Sequence, residues 1–138
     1  MKLMTLKQCL LCTASALTLF GALPAAAQVP GIVGKPLLKV PLSGDDTKAT
    51  TILSVEFAPG AVLPRHTHPG DEYATLLEGT LELHVAGQEP RRVSAGQAYH
   101  NPRGQIHETR NVGDGFARVV ITFVLSKDQP LSTPAPAP

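Results

Sequence analysis

The chain has 138 residues, 43% of them apolar and 17% charged, and carries a formal net charge of +1. That length holds one domain with a real core and is too short for two. The balance excludes a basic stripe for nucleic acid or an anionic membrane surface, and the apolar content excludes a disordered chain.

The N-terminus, MKLMTLKQCLLCTASALTLFGALPAAAQ, reads as a signal peptide over residues 1–27. Lys2 and Lys7 form its basic lead, and Cys9 to Leu23 an apolar run that is short for a membrane span. Ala25-Ala26-Ala27 puts small residues at the cleavage positions, so cleavage is expected after Ala27. Both cysteines, Cys9 and Cys12, fall inside this segment. The exported chain therefore carries neither a disulfide nor a thiolate ligand, despite an oxidising destination. This reading makes the protein periplasmic or secreted through a Sec-type signal, with no membrane attachment after cleavage.

Residues 28–48 form an extended lead-in rich in proline and glycine, in which Pro30, Pro36 and Pro41 exclude a helix interior and an edge strand fits. Ser43-Gly44-Asp45-Asp46 is a turn. From Ala49 to Phe57 the β-branched residues predict a strand, which Ala58-Pro59-Gly60 ends. Glu72–Leu77 and Leu81–Val85 read as two strands joined as a hairpin through Glu78-Gly79-Thr80, with Leu81, Leu83 and Val85 alternating against a wet face of Glu82 and His84. Short strands follow at Arg91–Val93, Ala98–Asn101 and Ile106–Asn111, each bounded by glycine or proline turns. Phe116–Leu125 is the longest apolar run and predicts a strand buried on both faces for much of its length. Residues 126–138, ending in STPAPAP, read as a disordered proline-rich tail. No window after the signal peptide has a helical period. Many short strands with frequent turns predict one all-β domain over residues 49–125, a sandwich or barrel.

The chemistry gathers between Gly60 and Gly79, in GAVLPRHTHPGDEYATLLEG. His66 and His68 stand two apart, so in a strand they share a face. Pro69-Gly70-Asp71 turns the chain, and Glu72 then approaches the same point from another direction. A fourth ligand should come from a different strand, and His107, after a second turn-rich stretch from Gly96 to Gly104, is the best candidate. Three imidazoles and a carboxylate suit one divalent transition metal, among manganese, iron, nickel, copper and zinc, with two octahedral positions left open.

Two spacings carry a resemblance. Gly60, His66, His68, Glu72 and Gly79, followed by Gly96, Pro102, Gly104, His107 and Asn111, stand at the intervals of the two motifs of the cupin superfamily. The chain resembles a small single-domain bacterial cupin of the quercetinase-like kind from about Ala49 to Leu125. The resemblance implies a jelly-roll-like antiparallel β-barrel, with His66, His68, Glu72 and His107 as metal ligands. It also makes a homodimer plausible.

Strand parity places Ala74, Leu76 and Thr109 on the ligands' face and Tyr73 and Glu108 on the opposite one. His84 reads as solvated and His100 as mouth or surface. Arg65, Arg103 and Tyr99 read as surface charge or rim packing. The resemblance favours a dioxygenase-type oxidoreductase acting on a small oxygenated organic substrate, with Glu72 available as a proton acceptor. A cupin lyase, isomerase or decarboxylase, and a non-catalytic periplasmic small-ligand or metal-binding module, stay open as alternatives.

Overall fold

A computed structural model describes residues 29–137. Residues 1–27, read above as a signal peptide, lie outside the described residues. In chain order the strands are β1 (Ile32–Leu42), β2 (Asp45–Phe57), β3 (Val62–Thr67), β4 (Gly70–Glu78), β5 (Thr80–Val85), β6 (Arg91–Ser94), β7 (Ala98–Asn101), β8 (His107–Asn111), β9 (Ala117–Ser126) and β10 (Thr133–Pro134). They form two five-stranded sheets, ordered β1-β2-β9-β4-β7 and β10-β3-β8-β5-β6. All eight strand pairings are antiparallel. The all-β expectation holds.

Alternation decides which side chains lie between the sheets. Along β5, Leu81 and Leu83 are buried while Glu82 and His84 stay half-exposed. Leu76, Val93, Phe57 and Val119 meet them from other strands in one mainly aliphatic core. Each such side chain contributes about 1.5–3 kcal/mol by leaving water. The lack of tryptophan is made good by number and not by size.

Three features differ from the sequence expectation. First, β4 and β5 are not a hairpin: β4 pairs with β7 and β9, β5 with β6 and β8. The turn at Gly79 carries the chain from one sheet to the other. Gly79 has φ of 83°, and a Cβ there would lie 2.7 Å from the Phe116 carbonyl oxygen, so both conformation and space favour glycine. Second, β9 buries only its inward residues; Val120, Thr122 and Val124 are half-buried, shielded by the flanking strands β2 and β4. A continuous apolar run is compatible with one covered face when the other is only shielded edgewise. Third, the proline-rich tail, read from composition as disordered, lies along the barrel, with Thr133 and Pro134 paired to Thr67 and His66.

The lead-in supplies β1 as an edge strand, paired with β2 along nearly its whole length. The crossings between sheets matter most for function. β3 and β8 lie side by side in one sheet, and β4 and β7 side by side in the other. A residue on an inward position of each pair faces the same interior point.

Candidate metal centre

His66 and His107 are direct cross-strand partners in the β3–β8 pair. Their rings therefore leave the same face of the sheet side by side, with centroids 4.3 Å apart. His68, two residues beyond His66, adds a third ring with centroids 4.8 Å from His66 and 5.2 Å from His107. One nitrogen of each ring lies within 4.8 Å of the others, and all three residues are buried. Glu72 enters from the opposite sheet. Its Oε2 is 3.0 Å from His107 Nε2 and 3.4 Å from His68 Nε2.

The outer nitrogens fix how these rings are protonated. Each Nδ1 donates to a backbone carbonyl: His66 to Pro64 at 2.7 Å, His68 to Leu131 at 2.7 Å, His107 to Gln105 at 2.9 Å. A carbonyl can only accept, so the proton sits on Nδ1 and the neutral ring turns an Nε2 lone pair inward. The buried His68 Nε2 has no hydrogen-bond partner. Lone pairs of two imidazoles and a carboxylate oxygen thus meet within 3.4 Å. Such a set calls for a cation at its centre, and outer-nitrogen hydrogen bonding is how metal-binding histidines are oriented.

Asn101, buried on β7 beside Glu72, donates from Nδ2 to Glu72 Oε2 at 2.9 Å. Burial alone would raise the Glu72 carboxyl, whereas the Asn101 amide, donating to Oε2, favours its charged form. Burial first, then the neighbouring His107, push the His66 imidazole down to about 4 from 6.5.

The His66 shift gives one expected result for chelator-treated protein. Below pH 6.5 the unfolded chain protonates His66 while the folded site refuses the proton until about pH 4. Stability therefore falls with pH across that window, by up to roughly 1.4 kcal/mol per unit. Urea midpoints at pH 7.5 and pH 5 check this, with His66→Gln expected to flatten the dependence. Equal midpoints in the parent would contradict the assignment.

A cavity of about 160 Å³ opens on the cluster, bordered by His66, His68, Glu72, Leu53, Phe123 and Leu131 among others. Phe123 packs against the His68 ring with centroids 4.7 Å apart. Ala74, Leu76 and Thr109 are buried inside and Tyr73 is exposed outside, as parity implies. His100 is on the surface, stacked on Tyr73 and 3.1 Å from Asp71. His84 Nε2 lies 2.8 Å from Glu82 on the wet face of β5. Arg103 is exposed, and Arg65 bonds the Pro136 carbonyl.

Tyr99 corrects the sequence reading. It sits in the core with 7% exposure and not at the rim, because β7 pairs it with the small Ala74 on an inward position. Burial, and then the Glu72 charge, push its hydroxyl well above the ordinary range, partly offset by a hydrogen bond with Thr109. Sequence reasoning also missed Asn101 and the Leu131 carbonyl. Asn101 shares parity with Tyr99 on its four-residue strand, so a pairing of β7 with β4 would have found it. Leu131 acts through its backbone, which leaves no side-chain signature.

Two facing antiparallel sheets that bring three histidines and a carboxylate to one interior point define a small β-barrel protein with a candidate metal centre. Residues 53–124 match the Cupin domain family, and the chain belongs to it. It is 34% identical over 109 residues to germin-like protein subfamily 2 member 1 of Arabidopsis thaliana, covering 75% of this chain and 45% of that protein. It is 33% identical over 88 residues to oxalate oxidase 2 of Hordeum vulgare, covering 58% of this chain and 39% of that one. The chain thus spans less than half the length of these relatives. A solved structure of recombinant oxalate oxidase in complex with glycolate superposes with a TM-score of 0.60 at 24% identity, over 78% of this chain and 57% of that one, which supports the fold.

Proposed function

We propose that this chain is an exported, metal-dependent oxidoreductase acting on a small oxygenated organic substrate, with His66, His68, Glu72 and His107 as the metal ligands. The observation that carries the reading is the inward set of unprotonated ring nitrogens, one of them buried without a partner, beside a carboxylate oxygen. A divalent transition metal bound there would supply Lewis acidity toward substrate oxygens and, if redox-active, access to dioxygen chemistry. The chain's own residues do the rest. The three histidines are held by backbone carbonyls, Asn101 fixes the Glu72 carboxylate, and the aliphatic wall excludes water from the reacting atoms. Glu72 serves this reading as a ligand, its Oε2 oriented by the Asn101 amide.

The cavity volume favours a small substrate over a polycyclic one. The oxalate oxidase among the relatives makes two-carbon acids the first compounds to try, followed by catechols, diketones and flavonols. The experiment is oxygen uptake by the chelated and metal-reconstituted chain across that panel. Uptake that requires both metal and substrate supports the oxidoreductase. No uptake with any compound, together with ligand-induced melting shifts, replaces it with a binding module. That second reading has its own support, because the metal ligands are the only titratable residues that line the cavity among the described residues. Cell fractionation and N-terminal sequencing test export; a mature chain beginning at Gln28 is expected.

A further inference from the structure

The three histidines are not held alike. His66 and His107 bond the carbonyls of Pro64 and Gln105, two residues before themselves on their own strands. His68 instead bonds the carbonyl of Leu131, 63 residues away. That carbonyl is delivered by a short segment with few ties of its own. Thr133 and Pro134 pair with Thr67 and His66. The Ala135 amide donates to the Arg65 carbonyl at 2.9 Å, and Arg65 Nε donates to the Pro136 carbonyl at 3.0 Å. Thr133 and Pro134 are exposed, so the segment buries little apolar surface to hold it down. Elements of this kind open at the low end of a protein's local free-energy scale.

The same segment walls the site. Leu131 and Ser132 border the cavity that reaches His66, His68 and Glu72. Leu131 also borders a second cavity, of about 140 Å³, near Lys39 and Lys127. Leu131 is thus shared by the walls of both cavities.

We propose that residues 131–136 are a strap that positions His68. The strap holds the proton on Nδ1, aims the Nε2 lone pair at the cluster, and closes one wall of the cavity. Without the Leu131 carbonyl, the His68 ring has no acceptor on its outer side. It is then free to rotate or to carry its proton on Nε2, where it cannot bind a metal. His66 and His107 keep their local carbonyls in either case. The consequence for metal affinity rests on the metal-binding reading above; the consequence for the His68 tautomer does not.

The test uses the metal-free full chain, a chain ending at Pro130, and the full-length variant Ala135→Pro, which removes one tie between the strap and β3. Long-range proton–nitrogen correlation spectra at about pH 8 report the tautomer of each ring. The parent is expected to show Nδ1–H for His66, His68 and His107. In both altered chains His68 alone is expected to shift toward Nε2–H. Calorimetric titration with Co(II) is expected to show affinity weakened about 10–100-fold, the range for loss of an outer-shell partner of a metal ligand. An unchanged His68 tautomer in Ala135→Pro overturns the strap, including when the shorter chain fails to fold. A parent that takes up no Co(II), with His68 still shifting in the variants, overturns the metal reading alone and leaves the strap in place.

Discussion

Replacing His66 or His107 by alanine is expected to weaken divalent-metal binding by about 100-fold or more, whereas His84→Ala binds as the parent does. The contrast follows from position. His66 and His107 face each other across the β3–β8 pair, buried, with their inner nitrogens aimed at Glu72 and His68. His84 lies on the wet face of β5 and meets only Glu82, a half-exposed contact of the kind that contributes about 0–1 kcal/mol. The loss should exceed the roughly 10–100-fold effect of an outer-shell partner, because a bond to the ion itself disappears.

Melting curves separate loss of the site from loss of the fold. An ion present at about 100 times its dissociation constant stabilises the parent by roughly 2.7 kcal/mol, and that increment should vanish in His66→Ala and His107→Ala. Melting of each metal-free variant beside the metal-free parent gives the cost to the fold itself, which is subtracted before the metal increments are compared. The measurement is titration calorimetry with Co(II) or Mn(II), paired with melting in chelator. Equal weakening in His66→Ala, His107→Ala and His84→Ala would contradict the ligand assignment.

Much of this centre was legible in the sequence because its elements have short-range logic. An HxH pair puts two rings on one face, and the chain then reverses at His68-Pro69, with Gly70 and Asp71, expected in the turn, already paired in β4 ahead of Glu72. Parity then sorted Ala74, Leu76 and Thr109 inward and Tyr73 outward, as the structure has them. What failed depended on which strands meet. Nothing local to Glu78-Gly79-Thr80 distinguishes a hairpin turn from a crossing between sheets, since both want positive φ at glycine. Tyr99 and Asn101 lie two apart on a strand of four residues, too short for its own alternation to reveal a face. Only pairing with Ala74 and Glu72 sends them inward. The tail misled for a different reason. Proline-rich composition argues against a packed core, yet a segment can be held by backbone pairing and by one arginine without burying side chains.

Asn111 gives the largest expected effect on the fold itself. It lies four residues beyond His107 on β8, is 3% exposed, and its side chain joins two turns of the barrel. Its Nδ2 donates to the carbonyls of Phe57 and Ala58 at 3.0 Å and of Gly115 at 2.8 Å, and its Oδ1 accepts from the Gly113 amide at 3.0 Å. Phe57 ends β2 and Ala58 opens the β2–β3 connection, while Gly113 and Gly115 lie in the β8–β9 connection. Alanine would strip partners from three carbonyls and an amide at once, in a place where water has little access. With about 1 kcal/mol for each bond lost, and more where the orphaned group stays buried, Asn111→Ala is expected to cost about 3–4 kcal/mol. For a domain of this size that lowers the melting temperature by roughly 10–20 °C. Asn111→Asp should do no better: it keeps the acceptor for Gly113, loses both donors, and sets a charge against three carbonyl oxygens. Because both turns flank strands of the histidine sheet, metal affinity should fall as well, but only near the melting transition. Calorimetric melting of the metal-free chain decides the matter. An Asn111→Ala variant that melts within about 3 °C of the parent would show that relaxation or solvent satisfies those groups, and that the side chain does not lock the two turns together.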